Sequence, residues 1–140
     1  MSNFHVAVFG GGSVGLTLAA HFAKAGARVS LLVRKASMAA LQNAPVEISG
    51  ALGEHRIPVG AIEIVDAADP DDAVRGSDML VLTTKAYDVA AALAPFVGRG
   101  TVPPVLLLQN GIGAAEIARD VLGPDVPVFS TAMMIGMVCE

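Results

Sequence analysis

The chain has 140 residues, of which 54% are hydrophobic and 16% are charged, and its formal net charge is −4. This length is enough for one domain with a sizeable core. Residues 1–46 carry a charge of +4 with no acidic side chain, whereas the rest carries −8. Since there is no basic tract with interleaved aromatic residues, the composition argues against a nucleic-acid partner and indicates a small anionic ligand for the N-terminal part.

Two further bulk features concern the cellular setting. Cys139 is the only cysteine, which excludes an intramolecular disulfide and favours the cytoplasm. Residues 1–23 contain no charged side chain, but no basic segment precedes them and three consecutive glycines interrupt the run at residues 10–12. The sequence therefore predicts neither a signal peptide nor a membrane span.

A strand predicted over residues 4–9 leads directly into a glycine-rich turn and a helix predicted over residues 14–25. The turn has the spacing G-x-G-x-x-G. Its first glycine permits a tight turn, its second a close approach to a pyrophosphate, and its third close packing of the helix on the sheet. Free N–H groups at the helix start favour a negative charge. This context favours a dinucleotide site over a plain strand–turn–helix connection. The predicted cofactor-binding residues are Gly10, Gly11, Gly12, Ser13, Val14 and Gly15.

The second predicted strand, residues 28–33, ends in Arg34 and Lys35. In NAD sites an acidic side chain near this point binds the ribose 2′-hydroxyl, but no acid occurs before Glu47. The guanidinium of Arg34 would instead pair with a 2′-phosphate. The sequence therefore predicts NADP, bound as NADPH, as the cofactor; the alternative is that Arg34 and Lys35 only solvate a loop.

The next part of the chain contains shorter elements. A helix is predicted over residues 37–42, with Ser37 as its N-cap. Between residues 45 and 65, short apolar segments separated by glycines predict a hairpin, followed by a half-exposed strand over residues 62–65 that joins the main sheet. Acidic residues then mark the first turn of a helix that ends near Gly76.

The remaining segments continue the alternation of strand and helix. Strands are predicted over residues 79–84, 105–108 and 126–130, and helices over residues 88–96 and 114–122. Residues 131–140 lack a periodicity that would assign them. This order predicts a single α/β domain over residues 1–140, a Rossmann-type doubly wound fold with a mostly parallel sheet and helices on both faces.

Polar residues follow two of the later strands, Lys85 and Asn110. Because ligands of doubly wound sheets bind at the carboxyl ends of strands, Lys85 would bring a positive charge to the same edge as the phosphates. Asn110 could bond to a nicotinamide or a bound keto acid. The alternatives are an ordinary surface lysine and an Asn-Gly turn pair selected for its backbone conformation. The three histidines have no metal-ligand spacing, so no metal site is predicted.

The sequence resembles the ketopantoate reductase (2-dehydropantoate 2-reductase) family over nearly its whole length. The matching segments, in order, are Gly-Gly-Gly-Ser-Val-Gly, Leu-Leu-Val-Arg, Lys-Ala-Tyr-Asp and Leu-Gln-Asn-Gly-Ile-Gly. The resemblance implies an NADPH-binding N-terminal domain with the pyrophosphate at residues 10–15 and the 2′-phosphate at Arg34. It also implies that Lys85 and Asn110 lie beside the cofactor in supporting catalytic roles, with Asn110 near the substrate. Residues 133–137 should border the nicotinamide, although they form no clear motif.

The resemblance further implies reduction of a 2-keto acid, first of all 2-dehydropantoate to pantoate in pantothenate and coenzyme A biosynthesis. Family members are considerably longer, and their helical second domain supplies the general acid and most substrate contacts. We therefore expect residues 1–140 to be the N-terminal domain of a longer protein, inactive alone, with a homodimer compatible with the sequence. The alternatives are a related reductase acting on another carbonyl substrate and a non-catalytic nucleotide-sensing module.

Overall fold

The computed structural model describes residues 3–98, 100–109, 112–134 and 136–138. The strands are β1 (His5–Phe9), β2 (Arg28–Val33), β3 (Val46–Ile48), β4 (His55–Ile57), β5 (Glu63–Asp66), β6 (Met79–Leu82), β7 (Val105–Leu107) and β8 (Val128–Ser130). The helices are α1 (Ser13–Lys24), α2 (Lys35–Asn43), α3 (Asp71–Arg75), α4 (Val89–Leu93) and α5 (Ala114–Leu122), and 3-10 turns at Ala86–Asp88 and Ala94–Phe96 flank α4. Within these described ranges, no helix has the length and apolar character that a membrane crossing requires.

Six strands form one sheet in the order β5-β2-β1-β6-β7-β8, and all neighbouring pairs are parallel. The chain builds outward from β1 through β2 to β5, and then crosses to β6 on the other side of β1. The order therefore reverses between β1 and β6, which is where doubly wound folds open a crevice at the carboxyl ends of their strands. The predicted Rossmann-type fold is confirmed.

Alternate side chains of the central strands point to opposite faces of the sheet, as strand geometry requires. Ala7 and Leu80 lie in a buried core with side chains of α3, α4 and α5. Val6 and Val81 lie in a second core, which α1, α2 and the β3–β4 pair cover. Both faces are therefore buried, which explains why the strands are continuously apolar.

The interruption between residues 45 and 65 has the predicted form. Strands β3 and β4 form an antiparallel pair of their own, and β5 joins the edge of the main sheet beside β2. The pair contacts α1 and packs on the second core, so it covers part of one face of the sheet.

Two of the predicted helices differ in the structure. Ser37 is not an N-cap, because α2 begins at Lys35, Arg34 has the extended backbone of the N-cap position, and the Ser37 N–H donates to Arg34 O over 2.8 Å. The helix predicted over residues 88–96 is a 3-10, α and 3-10 succession. Pro95 lies in its second 3-10 turn and lacks the N–H that a continuous α-helix would use.

Candidate functional site at the carboxyl edge of the sheet

The glycine loop follows β1 and turns sharply at Gly10, where φ is +120°. The Gly10 N–H donates to Leu32 O of the neighbouring strand over 3.0 Å. A Cβ atom at this position would lie 2.5 Å from Thr83 Oγ1. Gly10 is thus required both by its left-handed backbone and by the lack of space for a side chain.

Gly11 and Gly15 serve packing within the protein. A Cβ on Gly11 would lie 2.5 Å from Val33 Cγ1, and a Cβ on Gly15 would overlap Gly10 O. Gly15 therefore lets the first turn of α1 pack directly on the loop, as the spacing predicts. The lack of a side chain at these two glycines lets the helix start pack against the sheet, while their predicted contact with a cofactor stays a prediction.

Gly12 is different, because a Cβ there would have no described atom within 4 Å, and the residue is exposed. It occupies the N-cap position of α1, where no side chain among the described residues caps the helix and no acid lies in the first turn. The N–H groups of Ser13, Val14 and Gly15 precede the first intrahelical bond, which Leu16 N donates to Gly12 O. Among the described residues these N–H groups have no main-chain acceptor, and the space outside Gly12 is open, an arrangement that fits a pyrophosphate.

Arg34 follows β2 at the same edge of the sheet. The register pairs Phe9 with Leu32, so Arg34 lies beyond the strand end beside the glycine loop. Its side chain is exposed, forms no ion pair with another described residue, and has no acid in the helical turn that follows. The guanidinium charge is therefore available to an anion near the loop.

Of the two polar residues predicted after the later strands, the structure describes Lys85 but not Asn110. Lys85 is exposed and follows β6, with its carbonyl oxygen accepting from Asp88 N over 2.9 Å at the start of a 3-10 turn. Because β6 is parallel to β1, Lys85 lies at the same edge as the glycine loop. Asn110 lies outside the described residues, so its predicted role stays a prediction.

Two polar residues at this edge were not among the sequence-predicted site residues. Thr83 Oγ1 donates to main-chain carbonyl oxygens of the glycine-loop strand. Gln109, which is 7% exposed, donates from Nε2 to Leu82 O and Thr84 O, each over 2.9 Å. The available signal was a polar residue one or two positions after a buried apolar strand. The hydrogen-bond partners of such a residue lie far away in the sequence and cannot be identified from its neighbours.

A cavity of about 720 Å³ lies beside the start of α1. Ser13 and Thr17 line one side, β3 and the loop over residues 49–52 a second, and Gly136 and Met137 a third. Met133 packs instead on the core beneath α1. The chain after β8 thus returns to the glycine-loop helix, while the prediction that residues 133–137 border a nicotinamide remains a prediction.

The wholly parallel sheet and the glycine loop at its reversal define a Rossmann-type domain of the kind found in dehydrogenases. The chain matches the ketopantoate reductase PanE/ApbA family over residues 6–139 and belongs to that family. No curated protein sequence matches it.

Solved structures with the same fold include several dehydrogenases and reductases. 2-Dehydropantoate 2-reductase from Methylococcus capsulatus is 27% identical, with a TM-score of 0.73 over 95% of this chain and 42% of its own. D-mandelate dehydrogenase, in a ternary structure with NADH and anilino(oxo)acetate, is 20% identical, with a TM-score of 0.73 over 92% of this chain and 40% of its own. Glycerol-3-phosphate dehydrogenase from Coxiella burnetii is 16% identical, with a TM-score of 0.68 over 90% and 39%. The chain spans about two fifths of the length of these proteins.

Proposed function

We propose that this chain binds NADPH as the N-terminal domain of a cytoplasmic reductase that converts a 2-keto acid, first of all 2-dehydropantoate, into the 2-hydroxy acid. The observation that carries the proposal is the pairing of two features at one sheet edge. The start of α1 opens at Gly12, and the guanidinium of Arg34 follows the adjacent strand; neither is capped or paired by a side chain in the described part of the chain. Membership in the ketopantoate reductase family supports the substrate class.

The charges at the edge support NADPH over NADH. The N–H groups at the start of α1 would hold the pyrophosphate, where the helix dipole favours negative charge. Arg34 would bind the 2′-phosphate through its planar fork of donors. The first turns of both α1 and α2 lack an acidic side chain, so no carboxylate there repels the phosphate or is placed to accept from a 2′-hydroxyl.

The bound nicotinamide would supply a hydride to the ketone carbon of the substrate. This chain would fix the position of the cofactor through the glycine loop and Arg34. Lys85 would place its positive charge at the same edge, beside the bound cofactor, where it would also support the developing alkoxide. The proton for the alkoxide would come from an acid in a domain that follows residue 140, and a homodimer is compatible with this arrangement.

Calorimetry with NADPH and NADH tests the cofactor proposal directly. We expect the folded chain to bind NADPH more tightly than NADH, and to show negligible turnover of 2-dehydropantoate by itself. Failure of a folded sample to bind NADPH would overturn the proposal. Robust turnover by the chain alone would contradict the need for a further domain.

The substrate is tested on the longer protein. A panel of 2-keto acids assayed with NADPH should give the highest kcat/KM for 2-dehydropantoate. A higher kcat/KM for another carbonyl compound would show that the protein carries out the same reduction on a different substrate. Binding of NADPH without turnover of any carbonyl substrate would favour the nucleotide-sensing alternative.

A further inference from the structure

The side chain of Gln109 bridges two strand ends at the carboxyl edge. Its Nε2 donates both of its hydrogens, one to Leu82 O and one to Thr84 O, over 2.9 Å each. These two acceptors fix the orientation of the amide, since the reversed amide would point Oε1 at two carbonyl oxygens. The buried amide is therefore held in one arrangement by main-chain atoms of β6 and of the segment after it.

The two carbonyl groups depend on Gln109 to different degrees. Leu82 O also accepts from Leu108 N over 3.2 Å, as part of the connection between β6 and β7. Strand β6 ends at Leu82, and Thr84 O has no other donor among the described residues. The Gln109 side chain thus continues the pairing of β6 with β7 after the main-chain ladder has stopped.

The opposite end of the same amide has no partner in the part of the chain that the structure describes. Gln109 Oε1 and the neighbouring Thr84 Oγ1 are buried and have no hydrogen-bond partner among the described residues. An unpaired buried acceptor destabilises a fold, so each such group in a native structure calls for an explanation. The two donated hydrogen bonds of Gln109 fix the position of the Thr84 carbonyl group relative to Leu82. We take this to be the role of a glutamine at this position.

We infer that Gln109 is a positioning residue for Lys85, which follows Thr84 directly. The Lys85 side chain is exposed and forms no ion pair with a described residue. The position of its ammonium group therefore depends on the main chain from which the side chain extends. On one side the main chain is held by the Gln109 amide, and on the other by the 3-10 turn that Asp88 N closes on Lys85 O. The inference rests on the proposed function, in which Lys85 lies beside the cofactor.

Hydrogen exchange tests the link without any ligand. In Gln109→Met, which keeps the length of the side chain and removes its donors, the Asp88 amide should exchange about tenfold faster or more, because its turn opens more often. The Asp78 amide, which bonds to His5 O at the opposite edge, should be unchanged. Gln42→Met, an exposed change on α2, is the control variant. Unchanged exchange at Asp88 would overturn the inference.

A binding cycle tests whether Gln109 acts through Lys85. NADPH dissociation constants are measured for Gln109→Met, Lys85→Ala and the double variant. We expect Lys85→Ala to weaken binding about tenfold, Gln109→Met to weaken it less, and the double variant to match Lys85→Ala. Losses that simply multiply would show that Gln109 acts independently of Lys85 and would overturn the positioning role. If the wild-type chain does not bind NADPH, the proposed function fails, while the exchange experiment still decides whether Gln109 holds the segment.

Discussion

Thr83 donates its hydroxyl hydrogen toward the carbonyl oxygen of Gly10, 3.2 Å away, and so fastens the end of β6 to the glycine loop after β1. The same hydroxyl lies 3.0 Å from Phe9 O, which also accepts from Thr83 N over 2.9 Å. The two strands joined here are those between which the sheet order reverses. One threonine therefore closes the base of the crevice in which a dinucleotide would lie.

Thr83→Val removes this hydroxyl while keeping a branched side chain of similar size. We expect a loss of about 1 kcal/mol in the free energy of unfolding, because the hydroxyl hydrogen that Phe9 O and Gly10 O share is lost, together with weaker NADPH binding. Urea unfolding and calorimetry measure the two effects. Thr83→Ser, which retains the hydroxyl, should stay closer to the wild type in both. Equal behaviour of the two variants would show that the hydroxyl contributes nothing.

Substitutions at Gly12 and Gly15 should affect different properties, cofactor binding at Gly12 and stability at Gly15. Gly12→Ala points its Cβ into open space, so the chain should fold with a loss below about 1 kcal/mol, while NADPH binding falls at least about tenfold because the methyl group occupies the phosphate position. Gly15→Ala would force Cβ against Gly10 O and should cost about 1–3 kcal/mol or more of stability. Thermal unfolding and calorimetry distinguish the two. Retention of full NADPH affinity in Gly12→Ala would contradict the site.

Arg34→Ala tests the choice between the two nicotinamide cofactors. We expect NADPH affinity to fall about tenfold to hundredfold, since a charge-assisted contact with the 2′-phosphate is lost, while NADH affinity changes little. Arg56→Ala is the matched control, because Arg56 is an exposed arginine on β4 whose partner is Glu47. Equal losses for NADPH and NADH would remove Arg34 from the 2′-phosphate site.

Much of the fold could be predicted because its signals are local. The predicted bounds of β2 and α5 agree with the structure. Strand β2 is an apolar run followed by two basic residues, and α5 is an alanine-rich segment between two glycines. In both cases the local sequence marks where the element begins and ends. The turn at Gly10 and the close packing at Gly15 could likewise be predicted from their spacing. Boundaries were missed where a local preference competed with neighbouring structure. Ser37 is a good N-cap residue, yet α2 begins before it.

The parts of the site that could not be predicted depend on contacts between distant residues. Gln109 reaches Leu82 and Thr84, which lie 27 and 25 positions earlier in the chain. That contact exists only because β6 and β7 are neighbours in a parallel sheet, so the register must be known before the partner can be named. A glutamine at a strand end indicates a hydrogen-bonding role without indicating the acceptor. The same holds for the Thr83 hydroxyl.

A polar network around the buried Ser30 hydroxyl, at the opposite edge of the sheet, should affect stability without affecting the site. Ser30, which is fully buried on β2, donates to Glu63 Oε2 over 2.7 Å and lies 2.9 Å from His5 Nε2. It therefore links β1, β2 and β5 near the amino ends of these strands, away from the glycine loop. Ser30→Ala removes a partner of the buried His5 ring, whereas the exposed Glu63 carboxylate keeps its contact with Arg28. It should lower the free energy of unfolding by about 1–3 kcal/mol.

Urea unfolding of Ser30→Ala measures this loss, and calorimetry should find the NADPH dissociation constant of the folded variant unchanged, because the network and the proposed site lie at opposite edges of the sheet. Ser37→Ala is the control for stability, since Ser37 lies within the first turn of α2 without capping it, and should change the free energy of unfolding by less than about 0.5 kcal/mol. A large loss of NADPH affinity in Ser30→Ala would mean that the two edges are coupled through the strands, because no side chain of the network reaches the glycine loop in the described part of the chain.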